Sequence, residues 1–155
     1  MTISFTIPGK PSGWRLNQHV RGGKPGAHLA KNARNWQKAA VKQLKAEYKG
    51  EEPLEGPLCI RVDASFPRPG WADCSHKRAC KCEPWQKDGR PLPHQTTPDA
   101  TNVLKLAEDA LVKAGVLRDD RFVWFSTIMT VYAPRGVAPH VRIEVVPHVE
   151  GEVEA

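Results

Sequence analysis

The sequence predicts an α+β domain: a small mixed sheet of about four strands with two main helices on one face, in the order β-α-β-α-β-β. Three observations carry this expectation. Runs alternating apolar and polar residues lie at 2–8, 57–66, 121–132 and 140–146. Two longer runs, 29–49 and 98–115, repeat their apolar residues every three or four positions. The chain shows no internal repeat and no stretch of about 18 apolar residues, so neither a repeat architecture nor a membrane span is expected. At 155 residues it is read as one domain over 1–149, followed by an acidic tail at 150–155.

The first strand, 2–8, puts Ile3, Phe5 and Ile7 on one side and Thr2, Ser4 and Thr6 on the other. It lacks a basic leader segment and is not read as a signal peptide, so a cytoplasmic protein is expected. From Pro8-Gly9 to about Gly26 the composition reads as a Gly-rich basic loop carrying Arg15, Arg21 and Lys24. Such a loop either follows a phosphate backbone or simply connects two elements. In the helix predicted over 29–49, Leu29, Ala33, Trp36, Ala40, Leu44 and Tyr48 form one stripe, and Gly50 is the expected stop. Lys31, Lys38, Lys42, Lys45 and Lys49 line another face, as a solvated surface or a nucleic-acid contact. The second strand, 57–66, turns Leu58, Ile60, Val62 and Ala64 to one side.

Residues 67–97 carry prolines, Trp71, Trp85 and three cysteines without helical or strand periodicity, and read as an inserted loop. Cys74, His76, Cys80 and Cys82 are the ligand types of a tetrahedral structural zinc, though their spacing is not the common paired one. A mobile loop with free thiols is the alternative. The helix over 98–115 has Thr97 to cap it, Pro98 in its first turn, Asp99 at its positive end and Gly115 closing it. Val103, Ala107, Ala110, Leu111 and Ala114 form its buried stripe; Asn102, Lys105 and Asp109 fall on another face. A turn at 117–120, a long strand to Tyr132 and a last strand at 140–146 complete the domain.

The charge is unevenly spread. Residues 1–50 contain ten Lys/Arg against Glu47 alone, although the whole chain carries 23 Lys/Arg and 17 Asp/Glu. A concentrated basic half, with carboxylates elsewhere, suits a polyanionic partner whose counterions are released on binding. Cleaving a phosphodiester needs neutralisation of phosphate charge and activation of water, and hard cations held by carboxylates supply both. Asp99, Asp119 and Asp120 are the candidate metal ligands, and Lys105 is a point charge suited to the phosphate or leaving oxygen. Taken singly, Asp99 is also a helix-capping acid and Asp119-Asp120 a polar turn.

The combined series Pro98-Asp99-x-x-Asn102-x-x-Lys105, Asp109-Ala110-Leu111, Ala114-Gly115 and Asp119-Asp120 before a strand resembles the RusA family of Holliday-junction resolvases. Pro11-Ser12-x-x-Arg15 after the first strand is similar to that family's opening, and 67–97 has the character of an insertion. The resemblance implies a homodimeric endonuclease, dependent on Mg2+ or Mn2+, that nicks two strands of branched double-stranded DNA symmetrically. It implies catalytic roles for Asp99, Lys105 and Asp120, with Asp119 beside them. It also implies DNA contacts from Asn102 and a basic surface, expected here at Arg15, Arg21, Lys24, Lys38, Lys42 and Lys45.

One position departs from the family pattern. An Asp-x-Asp-Asn arrangement is usual there, and this sequence has Thr101 at the second acid. A neutral hydroxyl is a weak magnesium ligand. Either Asp119 or Asp109 compensates, the metal is held more weakly, or cleavage is lost and a zinc-ordered protein that only binds branched DNA remains.

Overall fold

The computed structural model of the chain describes residues 2–75 and 81–148. The strands are β1 (Ile3–Pro8), β2 (Leu16–Arg21), β3 (Lys24–Leu29), β4 (Leu58–Phe66), β5 (Leu92–Pro93), β6 (Val123–Tyr132) and β7 (His140–Pro147). The helices are α1 (Lys31–Glu47), α2 (Pro84–Asp88) and α3 (Ala100–Lys113). The fold is the expected α+β arrangement with a mixed sheet. That sheet has five strands, in the order β1-β7-β4-β6-β5. Among these described strands only β4 and β6 run parallel, and α3 makes the crossover between them.

Alternation along the strands divides the sheet into two faces. Phe5 and Ile7 of β1, Val141, Ile143 and Val145 of β7, and Leu58, Ile60, Val62 and Ala64 of β4 are buried under the helices. Ile60 stands opposite Val145 and Val62 opposite Ile143, so these apolar rows run across strands and pack as a layer. Ala33, Trp36, Ala40 and Leu44 of α1 and Val103, Leu106, Ala107, Ala110 and Leu111 of α3 close the core from one side. The predicted apolar stripes largely coincide with the observed contacts, except that Leu29 belongs to β3 and Tyr48 follows α1, and that Leu106 joins the α3 stripe. The opposite face is open: Arg61 and Arg142 lie there with Phe125 and Met129, which are exposed.

Several local expectations are corrected. The basic loop contains the β2–β3 hairpin, whose pairing runs from Leu16 opposite Leu29 to Arg21 opposite Lys24. Gly22 and Gly23 form its two-residue turn with φ of +56° and +73°, a conformation that needs positive φ at both positions. The helix predicted over 29–49 stops at Glu47. Tyr48 is already extended (φ −71°, ψ 117°), so Gly50 is not its stop. The cap of α3 is Asp99 rather than Thr97, which leaves Pro98 outside the helix. At the far end, Gly115 N–H donates to Val112 and Val116 N–H to Leu111, closing the helix as its Gly predicts.

The described residues of the segment 67–97 are not structureless. They contain α2, a short turn at Gly70–Ala72, and β5, which adds the fifth strand by pairing with the end of β6. Arginine organises them. The Arg68 guanidinium, 8% exposed, donates to Asp73 at 2.7 Å and to the carbonyls of Ala72, Arg90 and Ala133. Arg135 reaches the same Asp73 oxygen at 2.9 Å and the carbonyls of Gln86 and Lys87. These two arginines hold the carboxyl of Asp73 below its usual range, the Arg68 hydrogen bond first. Periodicity has no access to such a side-chain network.

Candidate active site

The site begins at the N-terminus of α3. Asp99 Oδ1 accepts the Asn102 backbone N–H at 3.1 Å, satisfying one of the amides that a helix start leaves unpaired. The Thr101 hydroxyl donates to the same oxygen at 3.5 Å. Lys105, one turn further on, is exposed, and its Nζ lies 3.8 Å from the centroid of the Trp14 ring. Trp14 arrives from the segment before β2, and its own backbone N–H donates to the Asn102 carbonyl at 2.7 Å.

The second group of acids surrounds the turn at Asp120–Phe122, where the chain enters β6. Asp119 caps this turn by accepting the Arg121 N–H at 3.0 Å, and that bond holds its carboxyl below the usual range. Asp120 is exposed and acts electrostatically on two acids of α3, Glu108 and Asp109. Burial is the largest cause pushing both of these carboxyls up, and the charge of Asp120 adds to it. A hydrogen bond with Ser126 opposes the shift at Glu108, while Lys113 and Lys105 oppose it at Asp109. Behind Asp99 at the N-cap, α3 thus carries Lys105, Glu108 and Asp109 within one turn of each other, and the charge of Asp120 acts on the last two.

The chain matches the family described as endodeoxyribonuclease RusA over residues 8–146. The chain belongs to the RusA family. Search among curated proteins finds no match. The RusA match begins at the end of β1 and runs into the last strand, so it includes the hairpin, α3 and the Asp119-Asp120 turn. RusA membership carries the endonuclease class and the family's activity as a Holliday-junction resolvase.

The charge of Asp120 acts on Glu108 and Asp109, and among the described residues the hydrogen bonds of Asp99 do not leave the first turn of α3. Nor do any three described His, Cys, Asp or Glu residues form a ready cage for a metal ion. The donors still suit Mg2+ or Mn2+, because these are hard oxygens and such ions are commonly held by one or two carboxylates plus water and substrate phosphate. Burial together with the negative charge of Asp120 raises the carboxyls of Glu108 and Asp109, an environment whose repulsion a nearby cation would relieve.

Glu108, Ser126 and Trp14 are the residues that sequence reading passed over. Glu108 is three positions after Lys105 and so on the same side of the helix, a spacing that could have flagged it. Trp14 had no such signal, because it comes from a distant segment. The basic candidates Arg15, Arg21 and Lys24 and the α1 lysines Lys38, Lys42 and Lys45 are all exposed. Of the zinc candidates, Cys74 and Cys82 are half-buried, while His76 and Cys80 lie outside the described residues, as does the acidic tail.

Proposed function

We propose that this chain is a divalent-metal-dependent endodeoxyribonuclease that resolves four-way DNA junctions by paired symmetric nicks. It acts as a homodimer in recombination and repair, in the cytoplasm of a bacterial or phage-infected cell. The observation that carries the reading is the placement of Asp99 at the N-cap of α3, Lys105 on its exposed side and Asp120 in the turn leading into β6, in a chain of the RusA family. No helix among the described residues is long and apolar enough to cross a membrane.

Asp99 and Asp120, with Asp119 and the Thr101 hydroxyl beside them, would hold Mg2+ or Mn2+. When bound, that ion supplies charge neutralisation at the phosphate and a more acidic water. The chain's own groups do the rest. Lys105 presents a full positive charge to a non-bridging or leaving oxygen, where charge grows as the bond breaks. Asn102 fixes the geometry of the first turn by donating its backbone N–H to Asp99 and accepting Trp14 N–H at its carbonyl. The hairpin cations Arg15, Arg21 and Lys24 and the α1 lysines Lys38, Lys42 and Lys45 hold the junction arms through their phosphates.

Thr101 favours a second reading, a protein that binds branched DNA but cleaves it poorly, with a zinc-ordered 67–97 segment. A neutral hydroxyl stands there instead of the family's second acid. Incubating the protein with a synthetic four-way junction and Mg2+ or Mn2+ separates the two. Nicking by the wild type, abolished in Asp120→Asn, supports the nuclease. Tight binding without nicking, with cleavage appearing in Thr101→Asp, supports the second reading.

A further inference from the structure

We infer that Trp14 is a positioning residue for Lys105, holding its ammonium at the active site without neutralising it; this rests on the nuclease reading above. The contact is close, with Nζ 3.8 Å from the ring centroid. Among the described residues the Lys105 ammonium makes no ion pair, although its charge acts on Asp109 one turn further along α3. A lysine on an exposed helix face otherwise samples many rotamers of a four-carbon stem. An aromatic face attracts the ammonium while leaving its charge intact. A carboxylate partner would also restrain it, but would cancel the charge that a phosphate must meet. For a lysine that works as a point charge, the indole is the better holder.

The segment that carries the ring is fixed from two sides. The Trp14 backbone N–H donates to the Asn102 carbonyl at 2.7 Å, attaching the segment to the turn of α3 that follows Asp99. The preceding residue, Gly13, is buried against Pro98, so closely that an added Cβ would lie 2.4 Å from Pro98 Cβ. Gly13 therefore allows the segment to sit directly on the helix start. Immediately after the tryptophan, the Arg15 carbonyl accepts the Ala30 N–H at 2.7 Å and closes the base of the β2–β3 hairpin. The same short segment thus joins a basic hairpin to the catalytic lysine.

Trp14 also packs against the edge of the core, so a loss of activity alone would not distinguish positioning from stability. The test uses the full chain with Trp14→Leu and Trp14→Phe. Nicking of a synthetic four-way junction is measured at saturating protein with Mg2+, and junction binding is measured with Ca2+. The Lys105 ε-methylene resonance is followed by NMR as a readout of the ring. The expected result for Trp14→Leu is a loss on the order of tenfold in nicking rate with binding changed by less than about twofold. Trp14→Phe restores most of that rate. The Lys105 resonance is shifted by the ring in the wild type and in Trp14→Phe, and returns to an ordinary lysine position in Trp14→Leu. If Trp14→Leu loses the native circular dichroism, Trp14→Met takes its place. Wild-type nicking rates in the variant lacking a ring, or a Lys105 resonance that does not move, overturn the inference. A wild type that fails to nick sinks the nuclease reading instead, and the resonance alone then decides whether Trp14 fixes Lys105.

Discussion

Asp99 accepts the backbone N–H of Asn102 at 3.1 Å, so one carboxylate both caps α3 and stands at the front of the proposed catalytic row. The two roles can be separated. Asn caps a helix about as well as Asp, whereas Ala costs about 1 kcal/mol at this position. Asp99→Asn is therefore expected to keep its urea midpoint while Asp99→Ala loses roughly that amount. Both are expected to lose junction nicking by on the order of a hundredfold or more. An Asp99→Asn chain that nicks normally would mean that Asp99 is a cap and nothing else.

Arg68 is the buried centre of the 67–97 segment, tied to Asp73 and to three backbone carbonyls. Replacing it with Met keeps much of its volume but removes that donor from the three carbonyls and leaves Asp73 to Arg135 alone. A loss of about 2–4 kcal/mol is expected in denaturant unfolding. A change within about 0.5 kcal/mol would show that the segment does not depend on this arginine.

His94 gives the stability a dependence on pH. Its ring stacks on Phe66 at 3.7 Å and meets Tyr132 edge-on, with the Thr96 hydroxyl at 3.1 Å from Nε2. Burial first, and the charge of Lys10 second, lower its pKa below the ordinary 6.5. The folded chain thus favours the neutral ring, while the unfolded chain takes up a proton near the ordinary value. Its contribution is present above about pH 6.5 and is lost as pH falls through the lowered folded value. The wild type is expected to lose more stability than His94→Phe between about pH 7.5 and about pH 5, measured as the shift of urea midpoint. Equal losses in the two chains would contradict this.

Arg21 and Lys24 face each other across the last pair of the hairpin, a like-charge pairing that disfavours the free hairpin and suits a phosphate partner. Neutralising both to Gln is expected to weaken binding to junction and linear DNA alike. The slope of log K against log salt should flatten by roughly 1.8, or about 0.9 for each phosphate that is no longer neutralised. Parallel measurements on Lys38→Gln/Lys42→Gln separate the contribution of α1 from that of the hairpin. An unchanged slope in the hairpin variant would remove it from the DNA surface.

The core was legible because its signal is periodic. Ile60, Val62 and Ala64, or Val103, Ala107 and Leu111, can be assigned to one side of an element by counting alone. The chemical series from Asp99 to Asp120 was legible because nearly all of it lies on one helix and the turn after it. Missed features depend on partners distant in sequence. The β2–β3 hairpin has a Gly22-Gly23 turn, but its polar strands lack the apolar alternation that marks a half-buried one. The described parts of 67–97 are tied together by Arg68, Asp73 and Arg135, which are separated by 5 and 62 positions. Glu108 and Trp14 become members of the site only once Asp120 and Lys105 have been brought to them.

The central claim, metal-dependent resolution of a four-way junction, is tested most directly on a supercoiled plasmid that extrudes a cruciform. Two symmetric nicks within one binding event convert it straight to linear DNA, while single nicks give open circles. With Mg2+ or Mn2+ the wild-type chain is expected to produce linear molecules from the outset, and neither Asp120→Asn nor chelator-treated protein should do so. Supercoiled plasmid left intact by the wild type, or linear product formed equally well by Asp120→Asn, would contradict the account.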